Sequence, residues 1–161
     1  MEIDFRKNWI DIKQTFRKSF VSNLHFSVAT VSENKPHVTP IGSVILGETG
    51  KGIFFEIFTR SFGSSGEKIQ ILAVNSSKWF WISSLIRGRF SASPGVRLNC
   101  ILGERRRPHE DEIAKWQKRI GLFSWTSGYA KLWGTLNVCR DFTVESAETL
   151  DLGEMTNHLK F

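Results

Sequence analysis

Phe5, Trp9, Ile12, Phe16 and Phe20 recur at spacings of four, three, four and four, with charged residues between them. That is the period of a helix with one apolar face, predicted over residues 4–20 with Asp4 as its N-cap. Five large apolar groups on one face need a sheet or barrel to lie on, so the helix reads as a lid. Residues 24–31 read as a strand, Ser32-Glu33-Asn34-Lys35 as a four-residue hairpin turn, and 36–46 as a second strand. Pro40 cannot donate to a ladder and therefore belongs at an edge or a bulge. Gly47-Glu48-Thr49-Gly50-Lys51-Gly52 turns the chain into a third strand, 53–59. This hexapeptide lacks the earlier glycine and the final Ser or Thr of a nucleotide-binding P-loop.

Beyond the third strand, Ile69, Leu72 and Ala73 predict a short helix over 66–74. Residues 78–85 read as a fourth strand, with Trp79 and Trp81 on one face and Phe80 on the other, which places the tryptophans in the core. Residues 89–93 and 96–102 flank Pro94-Gly95 as two short strands. Residues 108–120 open with proline and acids and end in Lys118-Arg119 before Gly121, the polarity of a helix. Residues 129–138 and 142–144 complete the strands. Short strands with three helical pieces and no βαβ alternation predict a mainly β chain, an antiparallel barrel or sandwich with α-helices added at its ends, as one domain over 1–161.

Composition adds bounds. The chain has 161 residues, 40% of them hydrophobic and 24% charged, ordinary values for a globular domain. No apolar run approaches the ~20 residues of a membrane span, and no apolar signal core follows Met1. A cytoplasmic location and no membrane partner are expected. Cys100 and Cys139 stand far apart on apolar segments, which predicts buried free thiols. The net charge of +6 is unevenly distributed. No Asp or Glu falls between Lys68 and Gly103, while acids gather at Asp141, Glu145, Glu148, Asp151 and Glu154, an asymmetry that favours an anionic ligand.

The chemistry is narrowed by what the motifs omit. His25, His37, His109 and His158 lack metal-ligand spacing, and no Gly-x-Ser-x-Gly elbow or dinucleotide fingerprint is present. What stands out is a loop after an aromatic strand, Gly52-Ile53-Phe54-Phe55 leading to Thr59-Arg60-Ser61-Phe62-Gly63-Ser64-Ser65-Gly66-Glu67-Lys68. Hydroxyls, glycine-freed amides and cations are what a phosphate-bearing ligand needs. Six Trp and thirteen Phe supply flat apolar surface for a ring. In a flavin reading, Thr39, Pro40, Ile41 and Gly42 lie along the ring edge. Thr59, Arg60, Ser61, Ser65 and Lys68 grip the phosphate.

The order of these pieces resembles the FMN-binding split-barrel proteins of the pyridoxamine 5'-phosphate oxidase-like superfamily. The resemblance rests on Pro36-His37-Val38-Thr39-Pro40, on the glycine-led aromatic strand, and on Lys68 seven residues before Asn75. It covers about residues 5–90 and implies an antiparallel split β-barrel with FMN as cofactor, its phosphate at Thr59, Arg60, Ser61 and Lys68. It further implies a homodimer with FMN at the interface, for which Arg119, Trp125 and Tyr129 are candidate contacts from the second subunit. The sequence departs from the family pattern in a longer loop before Lys68, in Ser76 where proline follows the asparagine, and in the absence of an Arg-rich C-terminal substrate signature. Vitamin B6 oxidation is therefore not expected. A flavin-dependent oxidoreductase taking hydride from NAD(P)H is, with the acceptor open. The alternatives are a non-catalytic flavin-binding protein and a basic β-barrel that binds single-stranded nucleic acid through Trp79, Trp81, Arg87, Arg89 and Arg105 to Arg107.

Overall fold

The computed structural model describes residues 1–32, 34–56, 63–134 and 136–159. Strands β1 (Glu2–Ile3), β2 (Phe26–Ser32), β3 (Lys35–Ile41), β4 (Ile45–Leu46), β5 (Lys51–Phe55), β6 (Lys68–Val74), β7 (Gly95–Arg106) and β8 (Cys139–Thr149) form one antiparallel sheet. The helices are α1 (Trp9–Asn23), α2 (Lys78–Arg87), α3 (Glu110–Ile120) and α4 (Ser127–Trp133). The strand order is β3-β2-β6-β7-β8-β5-β4, with β1 beside β8.

Both edges of this sheet, β3 and β4, come from one stretch of chain that breaks at residues 42–44. A Cβ on Gly42 would come within 2.8 Å of the Leu24 carbonyl oxygen, so the break requires glycine. The buried Ser43 hydroxyl then replaces ladder groups. It donates to the Phe55 carbonyl at 3.1 Å and accepts the Phe55 amide at 3.0 Å. Arg119 Nη1 donates to the Val44 carbonyl at 2.6 Å. The sheet is thus a mainly β, antiparallel barrel split between β3 and β4, as the sequence predicts. Pro40 lies on the edge strand, where its missing donor is tolerated.

Helix α1 covers one side of the core. Phe16 stacks on Phe26 with ring centroids 5.0 Å apart, and Phe20 meets Trp116 of α3 edge to face at 5.9 Å. Full burial of each such side chain contributes roughly 1.5–3 kcal/mol. The helix starts later than the sequence suggests. Asp4 Oδ1 accepts the Arg6 amide at 3.1 Å and so caps a turn before Trp9. The preceding Glu2 and Ile3 join the sheet opposite Glu148 and Ala147.

Five local expectations are corrected. The segment 66–74 is mostly strand, not helix: Ile69, Ile71 and Ala73 alternate into the core, and β6 pairs with both β2 and β7. The segment 78–85 is helix, not strand, and among its tryptophans Trp79 points out to solvent. Residues 89–93 are not a strand. The segment 129–138 contains α4, whose Tyr129 and Trp133 meet edge to face one turn apart at 5.7 Å. The hairpin turn is also shorter than expected, since the β2–β3 ladder closes at Ser32 and Lys35.

Candidate functional site

Pro36 and Pro40 fix the orientation of β3. Their nitrogens cannot donate to β2, so they face the free edge, as does the Val38 amide by the period of two. Thr39 and Ile41 turn their amides toward β2. Thr39 also sits opposite the fully buried Val28, which puts its side chain on the barrel's inner face. Of the four residues expected along a ring, Pro40 faces the outer surface, while Thr39 and Ile41 face in. Gly42 packs against Leu24.

Ser27 faces Pro40 on one side and Leu72 on the other, so Pro36 and Lys68 are level with each other, four residues (about 13 Å) along the ladder. A groove of about 470 Å³ opens there, lined by Val31, Pro36, Lys68, Gln70, Asn99 and Glu145 among others. Its polar floor crosses β6, β7 and β8. Gln70 Nε2 donates to Asn99 Oδ1 at 2.7 Å, and Asn99 Nδ2 donates to Ser146 Oγ at 2.9 Å and to Glu148 Oε1 at 3.0 Å. The hydrogen bond from Asn99, and then that from Arg97 Nη1 at 3.1 Å, hold the Glu148 carboxyl below its ordinary range. Sequence reading missed this floor. Its signal is the alternation of Arg97 and Asn99 with Val96, Leu98 and Cys100.

At the same end stands the loop that the sequence marks for an anion. Thr59, Arg60 and Ser61 lie outside the described residues. Next to the described part of the loop, the Glu56 side chain is 3% exposed and bridges two guanidinium groups. Arg105 Nε lies 2.8 Å from Oε2 and Arg140 Nε 3.0 Å from Oε1, the latter without hydrogen-bond alignment. Arg140 Nη1 donates to the Gly63 carbonyl at 2.8 Å, tying the loop to β8. Ser65 is exposed. The Ser64 amide donates to Glu67 Oε1 at 2.8 Å, so a carboxylate from the same loop fills an anion position. Lys68 is exposed, its Nζ 3.6 Å from Glu145 Oε2. Among the described residues here, Arg105 and Arg140 are answered by Glu56 and Lys68 by Glu145, while Glu67 takes the Ser64 amide.

The remaining candidates are not gathered at this groove. Trp125 is exposed beyond α3, its Nε1 donating to the Leu122 carbonyl at 2.9 Å. Arg119 is held within its own chain, over the Phe20 ring at 4.7 Å as well as on Val44, and burial lowers its pKa. Tyr129 packs on Trp133.

The acid-free stretch of sequence is not acid-free in space, because β8 brings its carboxylates alongside β7. Arg97 pairs with Glu148, and Arg106 makes paired hydrogen bonds with both Glu112 and Asp141 at 2.7–2.9 Å. Trp81 is turned inward onto Phe90. The surface required for nucleic acid is therefore not assembled in the expected form. Both cysteines are buried and unpaired. Burial raises the Cys100 thiol and pushes Cys139 up to about 11, which disfavours the thiolate of both. Among the described residues no group of three His, Cys, Asp or Glu side chains is placed to hold a metal ion. No described helix is long and apolar enough to cross a membrane.

No protein-family model and no curated protein matches the sequence. Solved structures do. An FMN-binding protein from Syntrophomonas wolfei is 15% identical with a TM-score of 0.54, covering 92% of this chain and 96% of its own. A candidate pyridoxamine 5'-phosphate oxidase from Lactobacillus delbrueckii is 14% identical with a TM-score of 0.51, covering 91% and 98%. HutZ, the haem storage protein from Vibrio cholerae, is 11% identical with a TM-score of 0.51, covering 86% and 94%. The chain shares the split-barrel fold of these proteins.

Proposed function

We propose that this chain is a single-domain flavin-binding protein, with FMN as the flavin, and that it works in the cytoplasm as a homodimeric oxidoreductase using NAD(P)H. The observation that carries the reading is the groove. Its lining runs from Pro36 on the β3 edge to Lys68, the cation that the sequence marks for a phosphate. Similarity in fold to an FMN-binding protein over nearly the whole of both chains supports it.

The residues present fit the group. The Ser64 amide already holds a carboxylate, so an anion is accommodated there, and Ser65 and Lys68 stand exposed beside it. Arg105 and Arg140 bring two guanidinium groups to the one buried Glu56 carboxylate beside the loop. Thr59, Arg60 and Ser61 belong to the same loop by sequence. A ring laid along the β3 edge would find the Val38 amide as donor and the outward carbonyls of β3 as acceptors. Ala29 and Val31 offer an apolar wall.

When bound, the flavin would supply hydride acceptance and electron transfer. The chain would hold the phosphate, align the ring along β3 and limit water at the groove. Trp125 would contribute from the second subunit.

Titration of the protein with FMN, followed by flavin fluorescence, tests this reading. Saturable binding that Lys68→Ala weakens by about tenfold is expected, the loss of one charge-assisted hydrogen bond. Absence of binding would overturn it.

A further inference from the structure

The β6–β7 ladder ends with Val74 opposite Gly95, a juncture that roughly two to five residues close in an ordinary hairpin. Residues 75–94 intervene here and build α2, a helix facing the wrong way for a core element. Trp79 and Ile86 are each 81% exposed, Leu85 65% and Ile82 47%, whereas the buried residue of the helix is Ser84. Trp79, Ile82 and Ile86, spaced i, i+3, i+7, make one outward stripe.

The helix is nonetheless firmly seated. Phe80 and Trp81 pack on Phe90 at 5.3 and 5.2 Å, and Trp81 Nε1 donates to the Asn75 carbonyl at 2.6 Å. Its outward face is therefore a fixed feature of the molecule.

Charge selects the occupant. Lys78 begins the helix, Arg87 ends it and Arg89 follows, with no acid between residues 68 and 103. Helix α1 adjoins through Ser22 Oγ, which accepts the Ser76 amide at 2.9 Å, and it brings Lys18 and Asp11 to a groove shared with Phe80, so the cationic balance of this face rests on α2 itself. Two acids lie by the C-terminal turn whose Met155 carbonyl accepts the Phe90 amide: Glu154 within the turn, and Asp151, which is engaged by the Gly153 amide at 2.8 Å. A two-fold pairing of α2 with a second copy would set these cations against one another with no carboxylate on the helix to answer them. An anionic plane suits the arrangement: apolar side chains enter the acyl boundary while Lys and Arg stay at the level of the headgroups.

We propose that α2 is a membrane-surface anchor, lying in the interface of an anionic bilayer with Trp79, Ile82 and Ile86 inserted and Lys78, Arg87 and Arg89 on lipid phosphates. It lies on the membrane and does not span it. Each cation strengthens such binding by about fivefold at low salt.

The test is co-sedimentation of the full chain with vesicles of phosphatidylcholine alone and of phosphatidylcholine with phosphatidylserine. Binding at least about tenfold stronger to the serine-lipid vesicles, weakened by salt, is expected. W79S/I86S should reduce it by a further factor of about ten, and R87Q/R89Q should remove the preference for anionic lipid. Thermal unfolding of both variants should match the parent, because the altered side chains are exposed. Equal sedimentation of parent and W79S/I86S, or none with either vesicle, overturns the proposal. A dimer that W79S/I86S dissociates, without vesicle binding, also overturns it and gives the face to a second copy. FMN binding is a separate readout and is unaffected by either result.

Discussion

The Lys68 ammonium lies 3.6 Å from the Glu145 carboxylate. Glu145 is the extra residue of a bulge in β8, where Asn99 faces Ser146 and Cys100 faces Val144. The bulge turns an acid toward the cation that the sequence offers to a phosphate, so a phosphate at Lys68 would compete with Glu145.

Glu145→Gln should therefore strengthen FMN binding by about three- to tenfold, by removing a competing anion. Stability should change by less than about 0.5 kcal/mol, because the pair is exposed. FMN titration and urea unfolding of the variant check both parts. Weaker binding would mean that Glu145 assists the ligand.

Ser43→Ala leaves the Phe55 amide and carbonyl without their buried partner. A loss of about 2–3 kcal/mol is expected from these unsatisfied groups, measured by urea unfolding. Because residues 42–44 set where β3 ends, FMN affinity should fall as well.

Gly52→Ala places a methyl group inside the Phe142 ring across the β5–β8 ladder. The expected cost is about 1–3 kcal/mol. Combining it with Phe142→Leu should recover part of that loss, as a thermal melt of the double variant would show.

Glu112 joins three elements. It accepts Arg106 of β7 twice and the His109 amide at the start of α3, while Arg106 also binds Asp141 of β8. The hydrogen bonds from Arg106, then the one from His109, lower the Glu112 carboxyl below its ordinary 4.5. A depressed folded-state pKa gives stability that is present above the unfolded value and is lost as pH falls through the folded one. Glu112→Ala should cost about 2 kcal/mol near pH 7 and progressively less below about pH 4, in urea unfolding at each pH. A difference that does not vary with pH would contradict this linkage.

Much of the architecture is legible in the sequence where one period dominates. The Phe16 and Phe20 spacing marks α1, Lys118-Arg119 before Gly121 marks the end of α3, and Pro40 marks an edge. The pieces that misled fit two periods at once. Lys68 to Val74 is short and apolar enough to match a helix through Ile69, Leu72 and Ala73, and its pairing with β2 and β7 decides for the strand. Trp79-Phe80-Trp81 looks like a strand buried on both faces because α2 carries apolar residues outward, an arrangement that local pattern reading takes for core. The spacing identifies Lys68 as a loop-end cation. Its pairing with Glu145, and the Arg105 and Arg140 bridge through Glu56, depend on strand register and cannot be seen from spacing.

We propose that the groove between β3 and Lys68 holds a flavin. The most direct measurement is the visible absorption spectrum of the purified protein, repeated after incubation with FMN and gel filtration. Bands at about 375 and 450 nm that co-elute with the protein, and that Lys68→Ala diminishes, are the predicted result. A colourless protein that retains no added FMN, or one that elutes with a Soret band instead, would contradict it.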